Sequence, residues 1–146
     1  MAVSNRKRLL GAAVVVAFLG LLLAASLYPF ETTVVPEWKI HIVDESGKPV
    51  GNLSINEGWI DYYIESNRHE EVRRANSEGY VEFPRRTVRA SLLARIKGAL
   101  VSFRHPHAPS GTYAFADVMG PYVSPTDTDY EPGKPLPQTI VVRPQP

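Results

Sequence analysis

Hydrophobic and polar positions fall into two regimes along the chain. From Leu9 to Tyr28 there is no charged residue, and most positions are Leu, Ala or Val. As a helix this run rises about 30 Å, the thickness of a hydrocarbon core. It is apolar on every face, which predicts a membrane-spanning segment rather than a helix packed on a soluble core. After Pro36 the period changes to two. Trp38, Ile40 and Ile42 alternate with Lys39 and His41, the pattern of a half-buried strand. Glu45 to Pro49 is a turn, and Val50 to Ile55 is expected to resume as a strand with Leu53 and Ile55 on one side. Gly58 to Glu65 is rich in aromatic and β-branched residues, which suit a pleated surface. Glu70 to Ala75 fits an exposed edge strand. Asn76-Ser77-Glu78-Gly79 then marks a turn, before a strand in which Val81 and Phe83 face inward.

Residues 85–97 carry two periods at once. Val88, Leu92 and Ile96 recur every four positions, while Val88, Ala90, Leu92, Ala94 and Ile96 also alternate with polar residues. A strand comes first in this reading, with a helical turn near Leu92. Further strands are expected at Ala99–Arg104, Tyr113–Val118 and Gln138–Arg143. The stretch from Pro121 onward is otherwise extended or turn-like, because seven of its 26 residues are Pro. The pattern predicts an all-β domain, an Ig/prealbumin-like β-sandwich of about seven strands, preceded by a single N-terminal transmembrane helix. Residues 1–8 form a cytoplasmic basic tail, 9–28 a signal-anchor helix, 29–37 a linker kept extended by Pro29 and Pro36, and 38–146 the sandwich domain.

Charge orients this arrangement. Arg6, Lys7 and Arg8 precede the apolar run, whereas Glu31 and Glu37 follow it, so the N-terminus is expected inside and the domain outside the cytoplasmic membrane. A signal peptide cleaved near Ala24-Ala25-Ser26 is the alternative, and the apolar run is longer than such peptides need. Cysteine is absent, which closes the lipoprotein route and disulfide stapling and fits a bacterial envelope, periplasmic or extracellular. Beyond residue 30 there are thirteen Lys and Arg against fifteen Asp and Glu, a net of −2. That balance excludes nucleic acid as a partner bound through bulk charge. The expected partners are the membrane, through the N-terminal helix, and an envelope protein or glycan.

Two turn motifs carry a family resemblance. Ile42-Val43-Asp44-Glu45-Ser46-Gly47-Lys48-Pro49-Val50 is followed, about thirty residues on, by Asn76-Ser77-Glu78-Gly79-Tyr80-Val81-Glu82-Phe83-Pro84. Together they resemble the carboxypeptidase regulatory-like domains of the transthyretin-like, prealbumin-type superfamily. The resemblance covers Trp38 to Phe83 and, loosely, the last strand, with Asn76 where the family has Asp. It implies a tight hairpin at Asp44–Pro49 and an accessory, non-catalytic role. The hydroxyisourate hydrolases of that superfamily end in a Tyr-Arg-Gly-Ser-type tail. Val142-Arg143-Pro144-Gln145-Pro146 differs, which disfavours that activity.

Candidate chemistry is sparse. His105 and His107 flank Pro106 and, with His69 and His41, are the potential ligands of zinc or copper; the plainer reading is a solvated loop. His69-Glu70-Glu71 lacks the second His of a zincin motif, since position 73 is Arg. Trp59, Tyr62 and Tyr63 are the candidate stacking surface for a sugar or peptide, strand alternation placing Trp59 and Tyr63 together; the alternative is that they are core. Arg85, Arg86, Arg89, Arg95 and Lys97 form a run free of acids, while Glu57 to Glu71 supplies five. Pairing between the two segments is more economical than a patch for acidic glycans or headgroups. No catalytic residue and no cofactor is assigned. The expected function is a membrane-anchored, non-catalytic interaction or structural module. The alternatives are a carbohydrate- or peptide-binding module and a metal-binding or hydrolytic protein using His69, His105 and His107.

Overall fold

The computed structural model describes residues 2–104, 109–126 and 128–145, with side chains from Leu10 onward. Helix α1 (Ala2–Leu27) contains an apolar window, Leu10–Leu27, long enough to cross a membrane and with none of it buried against the rest of the chain. It continues through Tyr28 directly into β1 (Pro29–Val35). Most of the expected linker is therefore strand. Thr32, Thr33, Val34 and Val35 are β-branched and favour extended backbone, and Pro29 occupies the first strand position, where its missing N–H is tolerated. β1 pairs antiparallel with β6 (Arg86–Ser91), from Pro29 opposite Ser91 to Val35 opposite Arg86, as a separate two-stranded ribbon.

The remaining strands are β2 (Trp38–Asp44), β3 (Ser54–Asp61), β4 (His69–Arg74), β5 (Tyr80–Phe83), β7 (Thr112–Met119), β8 (Tyr122–Val123), β9 (Asp129–Tyr130) and β10 (Thr139–Pro144). They form two four-stranded sheets, ordered β5-β2-β10-β8 and β4-β3-β7-β9. Ten strands replace the seven expected, because β1 lies in the supposed linker and the Pro-rich segment adds the two-residue strands β8 and β9. Both sheets and the ribbon feed one core. Trp38, Ile40, Ile42, Phe83 and Ile140 come from one sheet, Ile55, Ala114 and Ala116 from the other, and Val35 from β1.

The two turn motifs act through side-chain acceptors. Asp44 Oδ1 accepts the N–H groups of Ser46 and Lys48, both at 2.9 Å, and the Ser46 hydroxyl at 2.6 Å. The result is not a hairpin between β2 and β3, which belong to different sheets. Val43 and Pro49 meet in an isolated bridge, after which the chain crosses over, so Val50 to Leu53 is not strand. Asn76 Oδ1 likewise accepts from Glu78 and Tyr80, and Gly79 takes φ +80°, a left-handed conformation that favours glycine. This turn carries the chain from edge strand β4 to edge strand β5.

The ambiguous region divides in two. Its alternating half is β6, and its four-residue stripe opens α2 (Leu92–Arg104). Ser91 Oγ accepts the Ala94 N–H at 3.2 Å as an N-cap, and the good helix formers Leu92, Leu93, Ala94, Arg95 and Lys97 follow. The strand expected at Ala99–Arg104 is instead the end of this helix.

Candidate functional site

Ile55, Glu57, Trp59 and Asp61 alternate onto the face of β3 that carries the core residue Ile55. Glu57 is fully buried there, directly across the antiparallel pair from Glu71 on β4. Two carboxylates in that relation repel. Arg86, at the start of β6, resolves the conflict. Its Nε and Nη2 donate to Glu57 Oε2 at 2.9 and 2.6 Å, and Nη2 also reaches Glu71 Oε2. Arg73 Nε donates to the other oxygen of Glu71. Glu57 Oε1 has no hydrogen-bond partner among the described residues.

Aromatic rings extend the cluster. The Arg86 guanidinium lies 4.2 Å from the centroid of the Trp59 ring, and that ring stacks on His69 at 5.4 Å. His69 Nε2 meets Glu65 Oε1 at 2.7 Å, while Glu65 Oε2 accepts the Asp61 N–H at 3.1 Å. Burial pushes the Glu57 carboxyl above the usual glutamate range, outweighing the pull of Arg86. Glu71 is held below that range, by the hydrogen bond from Arg73 first and Arg86 next. For Arg86 burial works against the charge, but its bonds to Glu57 and Glu71 outweigh burial and raise its pKa.

The Glu57 shift has a definite sign in stability. A carboxyl whose folded pKa is raised binds its proton more readily folded than unfolded. Its contribution is fully present below the unfolded glutamate pKa and is lost as pH rises through the folded value. The melting temperature of wild type relative to Glu57→Gln is therefore expected to fall as pH rises through that window. Paired thermal melts across the acid range check this, and a difference that grows with pH would contradict it.

Trp59 is half-buried and engaged by Arg86 and His69, whereas Tyr62 and Tyr63 follow the end of β3 in a turn. The strand alternation expected to pair Tyr63 with Trp59 stops at Asp61, because Asp61 Oδ1 accepts the Tyr63 N–H at 3.0 Å and reverses the chain. Tyr62 borders an open groove of about 500 Å³ with Pro109, Gly111, Tyr113 and Pro132. His41 stands on β2, in the other sheet, and stacks on Tyr80 at 4.2 Å. His105 and His107 lie outside the described residues. Among the described residues no three His, Asp or Glu side chains gather as a metal-ligand set.

Glu57 and Arg86 were not distinguishable by sequence as a pair. The acid-free basic run opposite five acids signalled pairing, but register selects the partners. Among the described residues, Arg86 is the member of that run in an ion pair with those acids; Arg95 instead covers the Phe30 ring at 4.5 Å. Chemically the cluster is a lock. A buried cation joins β6, and through it the ribbon continuous with α1, to β3 and β4. No family model matches the sequence, and neither curated proteins nor solved structures give a match.

Proposed function

We propose that the chain is a membrane-anchored, non-catalytic module of the cell envelope, its β-sandwich of the carboxypeptidase regulatory-like type presented outside the cytoplasmic membrane. One observation carries this reading: the exposed apolar helix α1 is built into the domain. It runs into β1, which pairs along its length with β6 and buries Val34 and Val35 in the core. An anchor joined in this way holds its domain in a set orientation, which suits an interaction or structural role. The charged groups nearest the core bind one another, consistent with stabilisation rather than turnover.

A second reading, a carbohydrate- or peptide-binding module, draws on the groove beside Tyr62 and leaves Trp59 to the ion-pair cluster. The deciding experiment is fractionation of the full chain with a C-terminal tag, followed by N-terminal sequencing and external protease. Intact chain in the membrane fraction with its tag digested from outside is the expected result. A shortened soluble product starting near Leu27 would overturn the anchor and favour a diffusible ligand.

A further inference from the structure

The helix α2 is unusual in having no buried residue, although it is rich in Leu, Ile, Val and Phe. Phe103 is 85% exposed, and Leu92, Ile96 and Leu100 are about half exposed. One side of α2 faces the domain. Gly98 sits against the turn after β3, where a Cβ would overlap the Tyr63 carbonyl, and Ala94 and Ser102 border the same cleft. At about 100° per residue, Leu92, Ile96, Ala99 and Phe103 project from the opposite side. A close approach that only glycine permits thus turns an apolar stripe outward.

The position of that stripe identifies what covers it. Ser91 is paired with Pro29, so α2 starts at the level where α1 ends. Arg95 Nη2 donates to the Phe30 carbonyl at 3.4 Å while its guanidinium covers the Phe30 ring, tying the first turns of α2 to the residues just past α1. The two helices touch. Lys97 and Arg104 flank the stripe, and α2 contains no Asp or Glu. Apolar residues on one face, basic residues beside them and a start at the exit of an apolar helix together match an interfacial helix.

We infer that α2 is a second membrane contact. It lies in the boundary between headgroups and acyl chains of the bilayer that α1 crosses, with Leu92, Ile96 and Phe103 inserted and Lys97 and Arg104 beside anionic lipid phosphates. The inference rests on the reading of α1 as a spanning helix. Its consequence is two-point attachment, which holds the Tyr62–Ser66 turn down at the membrane surface.

The chain has no cysteine, so single-cysteine variants report cleanly. Full-length Ile96→Cys, Phe103→Cys, Val16→Cys and Glu78→Cys are spin-labelled and reconstituted in phosphatidylcholine vesicles containing about one-third phosphatidylglycerol. Collisions with oxygen and with a water-soluble nickel chelate then measure depth. The expected result is a several-fold higher oxygen-to-nickel ratio at 96 and 103 than at 78, at a depth of about 5–10 Å and shallower than 16. Water-like ratios at 96 and 103 with Val16 deep would overturn the inference and leave the anchor standing. Water-like ratios at all four positions would overturn the anchor and the inference with it. Shielding of 96 and 103 from both reagents, with spin–spin broadening that grows with protein density, would assign the face to a second copy and likewise overturn it.

Discussion

Replacing Arg86 with Met is expected to destabilise the folded domain by about 3–5 kcal/mol, the loss seen when one partner of a buried ion pair is removed. The side chain is only 12% exposed and Glu57 is wholly buried, so little solvent screening softens the effect. Without Arg86, Glu57 is left as an uncompensated charge facing Glu71 across the strand pair. Against a typical total stability of about 5–15 kcal/mol, that loss is a large fraction. Urea denaturation of the full chain in detergent micelles, followed by tryptophan fluorescence, measures it. Adding Glu57→Leu to Arg86→Met should restore most of the loss, because an apolar pair of similar volume tolerates the site and Glu71 keeps Arg73. A single-variant loss under about 1 kcal/mol, the range of exposed pairs, would show that the lock does not hold the ribbon to the sheet.

Trp38→Ala should be as damaging, at about 3–5 kcal/mol. Trp38 is fully buried at the start of β2, opposite Phe83. Its indole N–H donates to the Pro137 carbonyl at 2.6 Å, fastening the Pro-rich segment just before β10. β10 then runs parallel to β2, a long-range pairing with no tight turn to set its register. Trp38→Phe retains much of the apolar volume but leaves that carbonyl without its donor, an expected loss of about 1–3 kcal/mol. The chain has two tryptophans, so Trp59 remains as the fluorescence reporter of unfolding in either variant. An unchanged urea midpoint for Trp38→Ala would mean that the Pro-rich segment is not held through β2.

Where local pattern and final structure agree, the signal is short-range. The alternation of Trp38, Ile40 and Ile42 is the buried face of β2, and Val81 and Phe83 are the buried face of β5. Asp44 and Asn76 make their turns with neighbours two and four residues away. Disagreement arises where a remote partner decides. Residues 29–35 read as a linker because two prolines bracket them, yet the β-branched Thr and Val residues find β6 more than fifty positions later. Tyr62 and Tyr63 continue an aromatic strand pattern, but Asp61 and Glu65 end β3 before them. At 85–97 both periods were present, and the cap at Ser91 is what separates strand from helix.

By itself the sequence determined the apolar helix, the all-β character that follows it and the positions of the two side-chain turns. Each depends on composition or on contacts within a few residues. Tertiary structure alone decided that strands 38–44 and 54–61 sit in different sheets, that Arg86 rather than Arg85 or Arg89 meets Glu57, and that α2 turns its apolar stripe away from the domain. These depend on register and on which backbone approaches which. A one-residue change of register moves a side chain to the opposite face of a strand, so no local pattern specifies the partner.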